Sequence, residues 1–151
     1  MKKILICIIM CLCVVGFSFE VATVIRAVDG DTLKVLLNGA TETVRLIGVD
    51  TPESVHPTKP VEEGSLEASV YTKQLVGKTV LLTYDKNKRD FYQRILAYVW
   101  IDTEEGLDCW NTRLIKEGYG VLYDKYKFSK IHWFKKDVEP YWHINVKLEV
   151  E

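Results

Sequence analysis

Asp31 and Asp50 are two residues of this sequence that could do chemistry together. Asp31 begins a segment rich in Leu, Val and Thr, and Asp50 ends the segment that returns after Asn38-Gly39. Asn-Gly between two such segments is a strong hairpin signal, and an antiparallel pair brings the far ends of its strands together. Two Asp side chains that converge with backbone oxygens suit a hard cation such as Ca²⁺.

Arg45 and Glu53 add the other parts of a hydrolytic site. Arg45 lies on the returning strand, and Glu53 lies just beyond it. An arginine suits phosphate because its planar group offers paired donors, and a glutamate at the edge of the site could orient or deprotonate water. Together these residues indicate metal-assisted hydrolysis of a phosphodiester. Each residue alone is also ordinary at turns and strand ends, so only the joint spacing favours catalysis.

The elements that must position these side chains are mostly strands, in an α+β chain that is mainly β. Alternating and β-branched runs predict five strands, at residues 20–27, 32–37, 43–49, 79–84 and 96–101. Helical spacing before a closing glycine predicts helices at 65–76 and 108–117, with Ser65 and Asp108 as N-caps. Five strands with an intervening helix favour a small closed barrel.

The last part of the sequence, residues 128–151, has a different pattern. Ser129 can cap a third helix, and Pro140 ends that helix. Apolar and polar residues then alternate from Trp142 to Val150, which is typical of a strand. This segment is either an added edge strand or a tail without a partner.

The N-terminal segment predicts a secretory signal peptide. Two lysines precede an apolar stretch that ends at Phe17 and is shorter than the about 20 residues that a membrane span needs. We expect cleavage after Ser18, so that residues 1–18 form the signal and residues 19–127 form the main domain. The protein would then be secreted or held in the periplasm or cell envelope. An uncleaved leader would instead anchor it to a membrane.

Composition suits a single folded domain, since the 151 residues are 48% hydrophobic and 27% charged. The formal net charge of −1 is unfavourable for binding a polyanion, so basic residues must cluster on one face or binding must depend on a metal. Three of the four cysteines lie in the predicted leader. The remaining Cys109 cannot form a disulfide within the mature chain, and we expect it to be a semi-buried apolar residue.

Short motifs along the chain resemble those of the staphylococcal nuclease family. The matching pieces are Asp29-Gly30-Asp31-Thr32, Arg45-Leu46, Val49-Asp50-Thr51-Pro52-Glu53, His56-Pro57, Glu67-Ala68-Ser69, Asp90, Tyr92, Arg94, Asn111 and Gly118. The likeness covers about residues 22–126. It implies a five-stranded oligonucleotide-binding (OB) barrel with two or three helices, whose exposed face and loops commonly bind nucleic acids.

The resemblance also implies which residues hold the metal. Asp31, Asp50 and the backbone carbonyl of Thr51 would bind Ca²⁺. Asp29 would lie behind them and fix water or neighbouring groups around the ion. With two carboxylates and one carbonyl, such a site would be weak and partly hydrated.

Catalysis is assigned by the same resemblance to two arginines and a glutamate. Arg45 and Arg94 would stabilise the charge that develops on the phosphate in the transition state. Glu53 would align the attacking water and take its proton. The products would carry 3′-phosphates. Three tyrosines would contact the substrate: Tyr92, Tyr123 and Tyr126.

Two residues beside Tyr92 depart from the family pattern. Phe91 stands where a basic residue is common, which removes one electrostatic contact with substrate. Gln93 stands where the family often has glycine, and its side chain would strain a turn that needs a positive φ. Both departures bear on the efficiency of catalysis more than on the class of reaction.

These residues favour a secreted, monomeric, calcium-dependent nuclease that acts on DNA and RNA without a stable protein partner. An OB module that binds nucleic acid without cutting it is an alternative from a different class. A binder under no selection for cutting would have no reason to keep all five of Asp31, Arg45, Asp50, Glu53 and Arg94. A cell-surface carbohydrate binder that uses the same barrel face would explain neither arginine.

Overall fold

A computed structural model describes residues 18–53, 60 and 62–141 of the chain. The predicted leader apart from Ser18, the loop around His56 and the predicted C-terminal strand lie outside the described residues. Among the helices of the described part, none is long and apolar enough to cross a membrane.

Strands outnumber helices in the described part of the chain. The strands are β1 (Glu20–Asp29), β2 (Thr32–Leu37), β3 (Ala40–Leu46), β4 (Val49–Asp50), β5 (Thr79–Arg89), β6 (Ile95–Thr103), β7 (Gly106–Cys109) and β8 (Val121–Leu122). The helices are α1 (Ser65–Lys73), α2 (Trp110–Lys116) and α3 (Ile131–Val138). The predicted α+β class, mainly β, is confirmed.

Five of these strands close into a barrel. They lie in the order β3-β2-β1-β5-β6, and a parallel pairing between β3 and β6 joins the two ends of that sheet. β7 extends the sheet beyond β6 as a hairpin, while β4 and β8 form a separate antiparallel pair. The prediction of a five-stranded OB-type barrel is therefore confirmed.

The barrel interior is filled by alternate apolar side chains of its strands. Leu33 and Val35 on β2, Val44 on β3, Leu82 on β5 and Val99 on β6 are all fully buried. The two-residue period of a strand directs these side chains inward and their neighbours outward. Each such burial stabilises the fold by about 1.5–3 kcal/mol. Because the interior is packed, a substrate site must lie on the outer face or among the loops.

Asn111 of α2 connects the helix to the barrel from a fully buried position. Its side-chain oxygen accepts a hydrogen bond from the backbone N–H of Val99 at 2.9 Å. Its amide nitrogen donates to the carbonyls of Ile47 at 2.9 Å and Ala97 at 3.0 Å. One side chain therefore satisfies backbone groups of β6 and of the turn that follows β3.

The ends of two predicted strands were wrong. The return strand of the first hairpin ends at Leu46 instead of Val49, because Gly48 adopts a φ of +78° and turns the chain. β5 continues to Arg89, beyond its predicted end at Tyr84. Its charged second half was predicted to be a connection, but it pairs with β6 across a bulge and carries ion pairs to other strands.

The predicted helix caps were also wrong. Asp108 lies in β7 instead of capping α2, and its carboxylate accepts a hydrogen bond from Arg113 at 3.0 Å. Ser65 is the first residue of α1, and Gly64, with a φ of +79°, takes the N-cap position without a side-chain bond. α3 begins beyond Ser129 and likewise has no side-chain cap. None of these three helices therefore has a side-chain hydrogen bond at its N-cap.

Cys109 is buried more deeply than the semi-buried position predicted for it. It lies at the junction of β7 and α2 and carries a free thiol. Burial raises the pKa of this thiol to about 11. The thiol is therefore neutral at physiological pH and is a poor nucleophile, because the thiolate is the reactive form.

Candidate active site

Asp31, Arg45 and Asp50 form one ion-paired cluster, here called the Arg45 cluster, at the end of the β2–β3 hairpin. Arg45 Nη1 lies 2.9 Å from Asp31 Oδ2, and Nη2 lies 2.7 Å from Asp50 Oδ1. Nη1 also donates a hydrogen bond of 2.9 Å to the carbonyl of Val49. The structure thus brings together the two predicted metal ligands and one predicted catalytic arginine.

The register of the hairpin explains this convergence. Thr32, next to Asp31, is the direct partner of Arg45 across β2 and β3. Beyond β3, the turn at Gly48 sends the chain back as β4, which pairs with β8 and ends at Asp50. Asp50 therefore approaches Arg45 through a turn and a separate short strand, although the hairpin prediction had placed it at the end of one continuous strand.

The carboxylate of Asp31 is buried and fixed from several sides. Its Oδ2 accepts hydrogen bonds from the backbone N–H of Thr51 at 2.8 Å and from the Thr51 hydroxyl at 3.0 Å. Its Oδ1 accepts one from the Thr32 hydroxyl at 3.0 Å. Charge-assisted bonds of this kind are strong, so Asp31 fixes the position of Thr51 relative to Arg45.

The chemistry of the cluster fits a hard cation. Burial raises the pKa of Asp50 above its usual value, and the nearby Asp31 raises it further while Arg45 opposes the shift. A bound cation would favour the ionised form of Asp50. Among the described residues, no group of three or more His, Cys, Asp or Glu side chains could hold a metal. Two carboxylates completed by carbonyl and water oxygens match the preference of Ca²⁺ for oxygen ligands.

Glu53 and Asp29 lie on either side of this cluster along the chain. The backbone N–H of Glu53 donates to Glu62 Oε2 at 2.9 Å, and the N–H of Glu62 donates to the Glu53 carbonyl at 3.1 Å. This pair fixes the backbone of Glu53. Asp29 ends β1 directly opposite Thr32 on β2. No signal in the sequence pointed to Glu62, because a polar segment without periodic pattern separates it from Glu53.

Arg94 is held by a separate and more local arrangement, here called the Arg94 turn. Its Nε lies 2.7 Å from Asp90 Oδ2, and its backbone N–H donates to Asp90 Oδ1 at 2.9 Å. Gln93 between them has a φ of +64°, which confirms that this turn needs a positive φ. Leu96, two residues after Arg94, is the direct partner of Arg45 across β3 and β6. Arg45 alternates with buried residues of β3 and therefore lies on the outer face of the barrel, and Arg94 lies just before the start of β6.

A cleft of about 770 Å³ lies along that face. Arg45 and Arg94 both line it. The three predicted substrate tyrosines line it as well: Tyr92, Tyr123 and Tyr126. The rings of the last two are 6.1 Å apart, and the backbone N–H of Tyr123 donates to the Gly48 carbonyl at 2.9 Å. The cleft therefore combines guanidinium groups with aromatic rings, as nucleic-acid sites do.

Gly30 and helix α1 support the Arg45 cluster from behind. The Thr72 hydroxyl of α1 donates a 2.7 Å hydrogen bond to the Gly30 carbonyl in a buried position. A Cβ at Gly30 would lie 2.7 Å from Thr51 Oγ1 and 2.9 Å from Ala68 Cβ. Glycine is thus required here by close approach, which the sequence alone indicated only as a turn.

Comparison with known proteins finds relatives among nucleases. The thermonuclease of Staphylococcus hyicus is 48% identical over 96 residues, which are 63% of this chain and 54% of that protein. The thermonuclease of Staphylococcus intermedius is 47% identical over 94 residues, 62% of this chain and 54% of that protein. The SPbeta prophage-derived endonuclease YokF of Bacillus subtilis is 43% identical over 119 residues, 76% of this chain and 39% of that protein. The chain thus spans about half the length of the thermonucleases it matches.

A family model described as "Staphylococcal nuclease homologue" matches residues 43–138. The match includes Arg45 and Asp50 of the Arg45 cluster and the whole Arg94 turn, and it runs to the end of α3. It covers more than half of the chain, and it agrees with the closed barrel and with the motif resemblance. The chain belongs to the family of staphylococcal nuclease homologues.

Proposed function

We propose that this protein is a calcium-dependent nuclease that hydrolyses phosphodiester bonds of DNA and RNA and leaves 3′-phosphates. One observation carries the proposal. Arg45 contacts both Asp31 and Asp50 and also lines the cleft that it shares with Arg94. A cation site and two phosphate-binding groups therefore meet at one edge of an open, aromatic cleft, which is the arrangement that phosphodiester hydrolysis needs.

The metal in this proposal is held by Asp31, Asp50 and the backbone carbonyl of Thr51. When bound, Ca²⁺ would polarise the scissile phosphate and offset its negative charge. Asp31 keeps its orientation through the Thr51 N–H and hydroxyl, and Asp50 keeps its orientation through Arg45. The protein thus positions both carboxylates through contacts of its own, which favours binding of a partly hydrated ion.

The two arginines bind and neutralise the phosphate. Each presents a planar group with several donors, and each is oriented by an aspartate. Charge builds on the non-bridging oxygens as the water attacks, so donors aimed at those oxygens act most strongly in the transition state. Because Arg45 comes from β3 and Arg94 from the turn before β6, they can contact one phosphate from two directions.

Glu53 orients the attacking water and accepts its proton. Its backbone follows the cluster directly and is fixed by the reciprocal hydrogen bonds with Glu62. A carboxylate at the edge of the site can abstract a proton from water while the arginines hold the phosphate. Asp29, at the end of β1, would support the groups around the metal.

The first test is the metal dependence of cleavage. The purified chain is incubated with single-stranded DNA and with RNA in Ca²⁺, in Mg²⁺ and in excess EGTA. We expect cleavage in Ca²⁺ and little in EGTA, with 3′-phosphate ends on the products. Mg²⁺ demands stricter octahedral geometry, so we expect it to support little turnover. Full activity in EGTA would contradict the calcium role.

The second test separates catalysis from binding. Glu53→Gln keeps the size of the side chain and removes the proposed base, so kcat should fall by about 10²–10⁴-fold while Ca²⁺ and nucleotide binding persist. Glu105→Gln, in the exposed turn between β6 and β7, is the matched control and should leave kcat unchanged. If Glu53→Gln cleaves as fast as the wild type and binding is intact, the alternative that the protein is a non-catalytic OB module would be favoured over the nuclease.

We also propose that the protein acts outside the cytoplasm. The apolar leader with its two preceding lysines supports export. N-terminal sequencing of the protein from culture medium should find a start at or near Phe19. Membrane-bound material that starts at Met1 would instead show that the leader is an anchor.

A further inference from the structure

Phe91, in the Arg94 turn between β5 and β6, is an exposed aromatic side chain at the edge of the cleft. Its side chain is 93% exposed, and the neighbouring Tyr92 is 76% exposed. The two rings meet edge to face, with centroids 5.8 Å apart and an interplanar angle of 86°. Both residues line the cleft, as does Tyr126, which is 75% exposed. Phe91 therefore belongs to a cluster of open rings and is not a scattered surface residue.

The backbone around Phe91 is built to hold this position. The N–H of Asp90 donates to the Arg94 carbonyl, and the N–H of Gln93 donates to the Asp90 carbonyl, both at 3.0 Å. The positive φ of Gln93 completes the turn. The Arg94 guanidinium lies 5.5 Å from the centroid of the Tyr92 ring, which holds that ring between Arg94 and Phe91. Tyr92 therefore links the guanidinium of Arg94 to the exposed ring of Phe91.

Electrostatic attraction in this cleft is available to the backbone of any nucleic acid. Its three arginines, Arg45, Arg89 and Arg94, each lie 2.7–2.9 Å from a carboxylate, which reduces their attraction for phosphate. Two lysines also line the cleft, so basic side chains still outnumber acidic ones there. Phosphate attraction does not distinguish one base from another or a paired base from an unpaired one. An exposed ring adds a contact that only an unpaired base can make.

We propose that Phe91 is a base-stacking residue of this cleft and contacts an unpaired base of the substrate. The proposal rests on the proposed function, because it assigns a substrate contact to the same cleft. An unpaired base can turn its face onto an exposed ring, and such stacking tolerates any sequence. Bases inside a duplex are already stacked on their neighbours and offer no free face. The ring at position 91 thus offers a contact with a base where a basic side chain would contact a phosphate.

Binding by the full-length chain in excess EGTA tests this proposal without cleavage. The probes are a labelled oligothymidylate of about ten nucleotides and the same strand paired with oligoadenylate, a length within the range that OB folds cover. Phe91→Ala should weaken binding of the single strand by roughly 5- to 150-fold, the effect of losing one stacked base. Its effect on the duplex should be much smaller. Phe91→Trp should bind the single strand at least as well as the wild type.

Leu107→Ala is the matched control, because Leu107 is also an exposed apolar residue but lies on β7, away from this cleft. It should leave both affinities unchanged. Equal binding of the single strand by wild type and Phe91→Ala would overturn the proposal, as would an equal loss on single strand and duplex. The nuclease function is judged separately by cleavage in Ca²⁺. If the protein cleaves nucleic acid but Phe91→Ala binds as the wild type does, the nuclease function stands and the role of Phe91 is contradicted. If binding depends on Phe91 but no cleavage occurs, the role of Phe91 stands and the nuclease function is contradicted.

Discussion

The Arg45 cluster and the Arg94 turn hold the same type of side chain by different means. Arg45 is 14% exposed and is held by Asp31 from the turn between β1 and β2 and by Asp50 from β4. Arg94 is 32% exposed and is held by Asp90, four residues earlier in the same turn. The first arrangement needs the β2–β3 hairpin and β4 in place, whereas the second is a local property of one loop. Stability and activity should therefore be coupled at Arg45 and separable at Arg94.

Removing Arg45 should have the largest effect. Arg45→Ala removes the guanidinium group that lies between the carboxylates of Asp31 and Asp50. Loss of one partner from a buried ion pair costs about 3–5 kcal/mol, and we expect about 3 kcal/mol here because Asp50 is partly exposed. The kcat should also fall by about 10²–10³-fold. Urea unfolding in EGTA and a cleavage assay in Ca²⁺ measure the two effects. If this variant were as stable as the wild type, the coupling of stability to activity at Arg45 would be contradicted.

Gly30→Ala tests whether the support behind the Arg45 cluster is rigid. The added methyl group would meet Thr51 Oγ1 at 2.7 Å and Ala68 Cβ at 2.9 Å. Overpacking of this kind costs about 1–3 kcal/mol. Because Thr51 also binds Asp31, the shift should weaken Ca²⁺ binding, which isothermal titration would detect. An unchanged melting temperature together with unchanged Ca²⁺ affinity would show that the cluster can relax.

Gln93→Gly probes the strain stored in the Arg94 turn. A left-handed conformation costs a residue with a Cβ about 1–2 kcal/mol, and the greater freedom of unfolded glycine offsets part of the gain. We expect a net stabilisation of about 1 kcal/mol at most, or about 2–4 °C in melting temperature. Gln93→Ala is the control and should give no such rise. A lower melting temperature for Gln93→Gly would mean that the side chain itself holds the turn.

Arg94→Ala should have the smallest effect on stability. Partly exposed ion pairs contribute about 0.2–1 kcal/mol. The kcat of this variant should nevertheless fall by about 10²–10³-fold, since we propose that the arginine acts on the phosphate. Thermal melting and cleavage of the same preparation provide the measurements. A loss of stability equal to that of Arg45→Ala would show that the two regions are not different after all.

Local signals in the sequence predicted the barrel strands and the meeting of Asp31 with Asp50. The Asn38-Gly39 turn is an example, because both residues adopt the positive φ that the hairpin requires. Once the hairpin is known, strand register alone places Arg45 opposite Thr32. The positive φ at Gln93 was instead implied by the family resemblance, because glycine is common at that position.

Contacts between distant segments could not be predicted in this way. The second half of β5 has no apolar alternation that would predict a strand. It is a strand in the structure, where Lys88 forms an ion pair with Glu20 and Arg89 forms one with Glu42. β4 and β8 are two residues each, too short for any period to show. Glu62 is hydrogen-bonded to Glu53 across a separation of 9 positions, for which the sequence has no local pattern. These features depend on tertiary partners, which override local propensity.

The buried amide of Asn111 has a consequence for how the protein opens. The Asn111 side chain on α2 donates a hydrogen bond to the carbonyl of Ile47, just before Gly48. The backbone N–H of Tyr123 donates to the carbonyl of Gly48 itself. The turn that carries Asp50 therefore cannot swing away unless α2 also separates from β6. We therefore expect the segment that carries Asp50 to belong to the slowly exchanging, cooperative part of the fold, and local fluctuations to concentrate at the rim of the cleft. The amide proton of Val99, held by a side chain and not by a neighbouring strand, would report on that unit in hydrogen exchange.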